Sequence, residues 1–226
     1  MMIILSGAIG AGKSNLTKLL SEHLGTEAFF EPVETNPVLE KFYEDPQRYA
    51  FLLQIYFLNK RFAMIKKAMQ NDNNVLDRSI YEDSLFLHMN ADMGRVSKQE
   101  VDVYDELFEN MMEELPYAAH KKAPDLLVHV HVDLATMLDH IRKRGRSYEQ
   151  IEEDASLLDY YKTLLKYYVP WYEDYDASPK MIVDATKFDF VNNEEDRKTV
   201  LKSIDEKLLK LGKLTEAEYD QLMDKL

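Results

Sequence analysis

The sequence predicts an α/β protein in which a parallel sheet is covered by helices on both faces. Short apolar runs alternate with helical stretches, and the chain contains only 7 Gly and 7 Pro, too few for a loop-rich all-β protein. The apolar runs, interpreted as strands, are Met2–Leu5, Ala28–Phe30, Val75–Leu76, Leu126–Val132 and Met181–Val183. The most regular helical stretches are Pro46–Gln70, Lys98–Leu115, Ser156–Trp171 and Glu194–Leu211. Ligands of such sheets bind at the carboxyl ends of the strands, so a site is expected there.

The composition of the 226 residues excludes several classes of protein. The 41 Asp and Glu residues outnumber 28 Lys and Arg, and the formal net charge of −13 argues against a nucleic-acid binder or docking on an anionic membrane. The absence of cysteine excludes disulfides, thiolate catalysis and cysteine-based zinc sites, and it fits a reducing cytoplasm. No apolar run reaches the ~20 residues of a membrane span. With 46% hydrophobic residues, the chain can build the core of one sizeable domain.

The first predicted strand leads into a phosphate-binding motif. The loop matches G-x-x-x-x-G-K-[ST] and consists of Gly7, Ala8, Ile9, Gly10, Ala11, Gly12, Lys13 and Ser14. It precedes a helix-like segment, Asn15–Leu24, whose N-terminus adds the positive end of a helix dipole. The pattern predicts that Lys13 reaches the β- and γ-phosphates of a nucleotide and that Ser14 ligates Mg²⁺. It indicates nucleotide binding and gives no information about a second substrate.

Charged residues follow two further strands of the predicted sheet. The second strand ends at Glu31-Pro32-Val33 and the third at Asp77-Arg78-Ser79, so both ends should open into the crevice of the phosphate loop. A carboxylate there can hold Mg²⁺ or take a proton from an attacking hydroxyl, and Arg78 could neutralise charge on a phosphoryl group. Solvated loop residues are the alternative interpretation.

The long helical stretch Pro46–Gln70 carries two polar residues in an apolar sector. Its apolar stripe consists of Phe51, Ile55, Leu58, Phe62, Ile65 and Met69. Gln54 and Arg61 lie about 20° apart, between this stripe and Ala50, Phe57 and Ala68. An amide and a guanidinium need partners when they are buried. Two interpretations stay open, a polar ligand that both residues bind, or an internal hydrogen-bond network that includes Asp83.

Three weaker patterns each have a less specific alternative. The basic run 142–146 predicts a flap that brings arginines over a triphosphate, with a solvated helix end as the alternative. His129, His131 and Asp133 alternate along a strand, and we interpret them as packed or hydrogen-bonded residues rather than metal ligands. The tyrosine-rich segment 160–172 is typical of a core or a subunit interface.

Jointly these segments resemble the deoxyribonucleoside kinases, and within them the bacterial deoxyadenosine/deoxyguanosine kinases. The resemblance lies in SGAIGAGKS, the Glu-Pro-Val segment, NPVLEKFYEDPQRYAFLLQIYFLNKRF, DRSIYED and RKRGRSYEQ, and it fades after about Asp189. It implies a P-loop kinase fold with a five-stranded parallel sheet flanked by helices. It also implies one kinase domain over residues 1–226, with an arginine-rich lid at about 142–154.

The resemblance implies roles at the acceptor. Glu31 matches the general base that takes the proton of the sugar 5′-hydroxyl. Tyr43 and Glu149 match the residues that hold the 3′-hydroxyl, and Gln54 matches the glutamine that binds the base edge. Arg61 and Asp83 match a pair that favours purine or cytosine bases over thymine.

Further matches concern the phosphates and the metal. Arg78 matches the arginine near the 5′-hydroxyl, and Arg144 and Arg146 match lid arginines. Asp77 stands where many members of the family carry Glu. The Asp side chain is shorter, but its carboxylate is still suited to Mg²⁺. Two lid positions differ from the family pattern. His140 lies where some relatives have a further arginine, and Tyr148 lies where some have a second acid. The segment 184–190 resembles the loop that contacts the donor adenine.

The resemblance thus predicts a cytoplasmic, homodimeric kinase that uses ATP and Mg²⁺ to phosphorylate purine deoxynucleosides, with deoxyadenosine preferred and deoxyguanosine as an alternative. A rival enzyme class is a nucleoside monophosphate kinase such as a thymidylate kinase, which should need extra arginines at its acceptor site. Residues 31–45 contain one Lys, five Glu or Asp and no Arg, which counts against that class. A non-enzymatic nucleotide-dependent switch is the other rival, but it does not require Gln54 and Arg61 to face a pocket.

Overall fold

The computed structural model describes residues 1–71, 73–118 and 123–226. Within these residues the chain forms one five-stranded sheet, in the order β2-β3-β1-β4-β5, in which every neighbouring pair of strands is parallel. The strands are β1 (Met2–Ser6), β2 (Glu27–Phe29), β3 (Asn74–Asp77), β4 (Leu126–His131) and β5 (Lys180–Asp184). The predicted α/β class is therefore confirmed, and each predicted strand overlaps an observed one.

Helices connect the strands. They are α1 (Lys13–Leu24), α2 (Leu39–Glu44), α3 (Pro46–Ala68), α4 (Asp83–Asp92), α5 (Lys98–Ala118), α6 (Leu134–Arg144), α7 (Leu157–Asp174), α8 (Glu194–Lys210) and α9 (Glu216–Met223). The four predicted helical stretches correspond to α3, α5, α7 and α8. Within the three described ranges, no helix is long and apolar enough to cross a membrane.

The central strand β1 aligns the ends of its neighbours. All five of its residues are buried, as expected for a parallel strand that is covered on both faces. Its last residues pair Leu5 with Asp77 of β3 and Ser6 with His129 of β4. Because the strands are parallel and in this register, the loops that follow β1 and β3 leave the sheet at the same edge. The site is built at this edge.

The buried face of α3 differs from the predicted stripe. The buried residues are Ala50, Leu53, Gln54, Phe57, Leu58, Arg61, Ile65 and Ala68. Phe51, Ile55 and Phe62 are only half-buried. The reason is that α3 packs between α2, α4 and α5, and this environment covers the face on which Gln54 and Arg61 lie. The two polar residues therefore lie in the middle of the buried face and not at its margin.

Candidate active site

The loop between β1 and α1 has the backbone that a phosphate-binding loop requires. Gly7, Gly10 and Gly12 have φ values of +142°, +76° and +92°. A Cβ on Gly7 would lie 2.5 Å from the Val130 carbonyl oxygen, and one on Gly10 would lie 2.9 Å from that of Met137. Glycine is therefore needed at these positions both for backbone conformation and for space.

Lys13, at the start of α1, lies inside the loop. Its side chain is buried, and Nζ donates a hydrogen bond to the Ala8 carbonyl oxygen at 2.8 Å. Burial and, to a smaller extent, the nearby Arg78 lower the pKa of Lys13 to about 7, against the opposing charge of Asp77. An added anion such as a phosphate would favour the charged ammonium.

Ser14 and Asp77 form a pair of oxygen donors beside the loop. Ser14 Oγ donates a hydrogen bond to Asp77 Oδ2, while Asp77 Oδ1 is buried and has no hydrogen-bond partner among the described residues. Burial raises the pKa of Asp77 and the charge of Lys13 opposes this shift. A hydroxyl and a carboxylate suit Mg²⁺, and the buried oxygen without a partner fits a ligand position.

Glu31 lies between two arginines. Arg61 donates to Glu31 Oε1 from Nε at 2.9 Å and also from Nη2, and Arg78 Nε lies 3.2 Å from Oε2. Burial alone would raise the pKa of Glu31, but the charges of Arg61 and Arg78 outweigh it and hold the pKa below its ordinary value. Glu31 is therefore ionised at neutral pH. It follows β2 by two residues, so it lies in a loop rather than at the strand end.

Arg61 connects Glu31 to Asp83. Its Nη1 donates to Asp83 Oδ1 at 2.5 Å, and Asp83 is fully buried behind it. Burial raises the pKa of Asp83 to about 7, against the opposing charge of Arg61. The internal network that the sequence left open is therefore present. This network provides partners for the buried guanidinium of Arg61 but not for the buried amide of Gln54.

Arg78 leaves β3 with an unusual backbone. Its φ of +68° is left-handed, a conformation that costs a non-glycine residue roughly 1–2 kcal/mol. Its backbone N–H donates to the Leu5 carbonyl oxygen at 2.9 Å. Its Nη1 donates to Glu82 Oε1 at 2.8 Å and to the Tyr168 hydroxyl at 2.7 Å. Contacts to β1, α7 and the turn after β3 thus hold this residue in place.

A cavity of about 120 Å³ brings most of the predicted acceptor residues together. Besides residues of the phosphate loop, the predicted site residues that line it are Glu31, Tyr43, Gln54, Arg61, Asp77, Arg78, Arg144, Arg146 and Glu149. Asp83 lies outside the lining, behind Arg61. Gln54 is 3% exposed, and its side chain makes no hydrogen bond to any residue that the structure describes. Its amide is thus available to a ligand in this cavity. The aromatic rings of Phe57, Phe86 and Tyr160 also line the cavity.

A second, larger cavity of about 940 Å³ adjoins the first one. It is lined by the phosphate loop, by basic residues of α6 and by the segment after β5. Both cavities share Gly10, Lys13, Ser14, Glu31, Val33, Asp77, Arg144 and Arg146. The predicted donor segment contributes Ala185, Phe188, Asp189 and Phe190 to the larger cavity. The two spaces therefore meet at Lys13, Glu31 and Asp77.

The basic run divides into two parts. Arg142 and Lys143 are exposed and form ion pairs with Asp139 on the surface. Arg144 Nη2 donates to Glu149 at 2.5 Å, and Arg146 Nη1 lies 3.4 Å from the same carboxylate. Both solvated and inward-facing arginines are thus present, and only the second pair reaches both cavities.

The two positions that depart from the resemblance both contact the site. His140 Nδ1 donates to the Gly10 carbonyl oxygen at 2.7 Å, so it touches the phosphate loop directly. The ring of Tyr148 packs on that of Tyr43, with centroids 5.2 Å apart.

His129 is packed inside the structure, as predicted. Its ring lies near Tyr168 and Tyr172, and Nδ1 is 3.1 Å from Ser6 Oγ. Burial lowers its pKa to about 3, so the ring is neutral. Asp133 does not share the strand, because it caps α6 by accepting from the Thr136 N–H. In the tyrosine-rich segment the core prediction is confirmed for Tyr160, Tyr161 and Tyr168.

Sequence reasoning missed Glu82 and Tyr168 as parts of the site. Glu82 lies in DRSIYED, four residues after Arg78, and a short 3₁₀ turn (Ile80–Glu82) brings it back to that arginine. The four-residue spacing between Arg78 and Glu82 is the sequence signal that could have indicated this contact. No local sequence pattern indicates Tyr168, which lies on α7 and donates a hydrogen bond to the Glu82 carboxylate.

The sheet order, the glycine loop at the end of β1 and the helix that follows it define the P-loop kinase fold. The family model described as deoxynucleoside kinase matches residues 3–210. The chain therefore belongs to the deoxynucleoside kinase family and is a phosphotransferase.

Individual relatives agree with this assignment. A deoxyguanosine kinase of Lactobacillus acidophilus is 60% identical over 223 residues, which cover 99% of this chain and 97% of the relative. A deoxyadenosine kinase of the same organism is 57% identical over 213 residues, covering 94% and 99%. The solved structure of a deoxyadenosine kinase from M. mycoides with dCMP and a flexible dCDP has a TM-score of 0.76 and 33% identity. The match covers 93% of this chain and 100% of that one.

Two glycines with the same backbone conformation test the phosphate loop. Gly94, with φ +72°, has no atom within 4 Å of the place where a Cβ would lie, whereas Gly10 faces the Met137 carbonyl. We expect Gly94→Ala to add only backbone strain of about 1 kcal/mol and to leave ATP binding unchanged. Gly10→Ala should weaken ATP binding at least about 10-fold, because the loop must shift. Calorimetric titration measures both, and equal ATP affinities would contradict the account.

Proposed function

We propose that this kinase transfers the γ-phosphoryl group of ATP to the 5′-hydroxyl of purine deoxynucleosides, with deoxyadenosine preferred and deoxyguanosine as an alternative. The observation that carries the proposal is the position of Glu31. This ionised carboxylate lies where the two cavities meet, between Arg61 and Arg78. Relatives named deoxyguanosine kinase and deoxyadenosine kinase, at 60% and 57% identity, support a purine acceptor.

The smaller cavity suits a nucleoside. The Gln54 amide offers one donor and one acceptor side, the pair that matches N7 and the N6 amino group of adenine. Arg61 lines the same cavity and would read the rest of the base edge, while Asp83 behind it holds the guanidinium in place. Tyr43 and Glu149 line the same cavity and would hold the 3′-hydroxyl of the sugar.

Glu31 would act as the general base. The 5′-oxygen attacks the γ-phosphorus in line, its proton passes to Glu31, and the bond between the γ-phosphorus and the β,γ-bridging oxygen breaks to release ADP. The low pKa of Glu31 keeps it ionised and ready to accept, although it makes the carboxylate a weak base. A loose transition state requires little basic strength, so positioning of the hydroxyl is the larger contribution.

The cations would stabilise the transferring group. Lys13 would exchange its hydrogen bond to the Ala8 carbonyl for phosphate oxygens, and Arg78 already contacts Glu31, which lines both cavities. Arg144 and Arg146 would turn from Glu149 to the phosphates. Charges held in a site from which water is excluded act more strongly than in solution.

Ser14 and Asp77 are the residues that would hold Mg²⁺. When bound there, Mg²⁺ would supply positive charge that neutralises the charge of the nucleotide phosphates. The buried Asp77 Oδ1 without a hydrogen-bond partner in the described part of the chain supports this assignment.

Three further expectations belong to the same proposal. Residues 142–154 would act as a lid, since Arg144, Arg146 and Glu149 lie in this segment and line the cavities. Residues 1–226 would form a single kinase domain. A homodimer in the cytoplasm stays a prediction from the resemblance.

A nucleoside monophosphate is the less suitable acceptor. Its dianion would need cations that are not already paired, but Arg61 is held by Glu31 and Asp83, and Arg78 by Glu31 and Glu82. A switch that only senses nucleotide is not consistent with membership in an enzyme family.

An acceptor panel tests the proposal. ADP release should be measured with Mg·ATP and each of the four deoxynucleosides, the corresponding monophosphates, or no acceptor. We expect the kcat/KM for deoxyadenosine or deoxyguanosine to exceed that for thymidine by at least about 100-fold, a difference of ~2.7 kcal/mol in transition-state binding. Faster turnover of a monophosphate, or ADP release that does not depend on an acceptor, would contradict the proposal.

Replacement of the proposed base gives a second test. Glu31→Gln keeps the shape of the side chain but removes proton acceptance, so kcat should fall by about 100- to 10,000-fold while deoxynucleoside binding is largely retained. Glu44→Gln, at an exposed position on α2, is the matched control and should retain wild-type kcat. Near-wild-type turnover of Glu31→Gln with binding intact would refute the assignment.

A further inference from the structure

Glu82 is a buried carboxylate that the mechanism above does not use. It is 1% exposed at the end of the 3₁₀ turn after β3. Its Oε1 accepts from Arg78 Nη1 at 2.8 Å, and its Oε2 accepts from the Tyr168 hydroxyl at 3.1 Å. The same Oε2 also accepts a longer hydrogen bond, at 3.4 Å, from the backbone N–H of Gly7. A buried charge is costly, so its partners indicate what it does.

The partners of Glu82 belong to both halves of the site. Gly7 is the first residue of the phosphate loop, on the donor side. Arg78 touches Glu31, on the acceptor side, through Nε at 3.2 Å. Glu82 is therefore in direct contact with both the loop that binds the donor and the arginine beside the proposed base.

The guanidinium of Arg78 is fixed from two sides. Glu31 holds it through Nε, while Glu82 and Tyr168 hold it through Nη1. Tyr168 also donates to Glu82, so the three groups on this side form a closed triangle. An arginine side chain has several rotatable bonds, and such a triangle selects one orientation of its plane.

We propose that Glu82 is a positioning residue for phosphoryl transfer, which fixes the Arg78 guanidinium and ties it to the first residue of the phosphate loop. The inference rests on the role of Arg78 in the proposed function. Without the Glu82 charge, Arg78 is free to turn fully onto Glu31, which would neutralise the base and withdraw the guanidinium from the phosphoryl group. Glu82 thus keeps Arg78 in contact with both Glu31 and the phosphoryl group.

Glu82→Gln retains the shape of the side chain and an acceptor for Gly7, but it loses the charge. We expect kcat to fall about 10- to 100-fold, since a small misplacement of a catalytic group has effects of this size. The KM for the deoxynucleoside should change less than about 3-fold, because Glu82 does not line the acceptor cavity. Tyr168→Phe removes two of the three hydrogen bonds of the triangle but keeps the ion pair between Arg78 and Glu82, so it should lower kcat in the same way by a smaller factor.

Asp205→Asn is the matched control for the loss of a buried acid. Asp205 is 0% exposed and pairs with His23 at 2.6 Å, outside both cavities. It should lower the Tm but leave kcat per folded molecule unchanged. If Glu82→Gln lowers the Tm as this control does and keeps wild-type kcat, the residue is only structural and the proposal is wrong.

A double-mutant cycle with Arg78→Lys separates this proposal from the proposed function. Arg78→Lys should itself lower kcat, and Glu82→Gln should then cost less than about 3-fold in that background, since its effect acts through Arg78. Wild-type activity of Arg78→Lys would refute the role of Arg78. An impaired Arg78→Lys together with additive losses in the double mutant would refute only the role of Glu82. If Glu82→Gln does not fold, a double-mutant cycle of Tyr168→Phe with Arg78→Lys tests the proposal by the same criteria.

Discussion

The Glu31 carboxylate held between the guanidinium groups of Arg61 and Arg78 is the interaction on which the rest of the site depends. It is the centre of a cluster of largely buried ionisable groups that consists of Lys13, Glu31, Arg61, Asp77, Arg78, Glu82 and Asp83. Each of these charges is expensive to bury alone, and the pairing between them makes the burial possible. Because the cluster holds four acids and three cations, it favours a further cation at Asp77 Oδ1, which has no hydrogen-bond partner among the residues described.

In the proposed function, this arrangement would couple the choice of acceptor to phosphoryl transfer. Arg61 binds Glu31 on one side and Asp83 on the other, so one side chain connects the edge where the base would lie with the carboxylate that would take the proton. Arg78 continues the chain of contacts through Glu82 to the phosphate loop. A nucleoside that displaces Arg61 would therefore disturb Glu31 as well. In the proposed function, an acceptor that displaces Arg61 would therefore be phosphorylated more slowly.

The features that the sequence predicts depend on local patterns. The phosphate loop has a fixed spacing, and Gln54 and Arg61 are conspicuous because polar residues seldom occur in an apolar helix sector. The contacts of Glu82 with Tyr168 and Gly7 could not be predicted, because these residues lie 86 and 75 residues away. Nor does any pattern predict the positive φ of Arg78, since backbone strain at a non-glycine residue depends on tertiary contacts. The buried face of α3 differs from the predicted stripe because the helices that cover it, α2, α4 and α5, are placed by tertiary packing and not by the pattern of α3 itself.

The most direct test of the central claim is the ionisation of Glu31. The side-chain carboxyl carbons of glutamate can be labelled with ¹³C and followed by NMR as the pH is lowered, with Glu31→Gln used to assign the signal. We predict that Glu31 of the folded protein stays ionised below its ordinary pKa of 4.5, because Arg61 and Arg78 favour the charged form. A signal that titrates at or above 4.5 would show that burial dominates and would contradict the account.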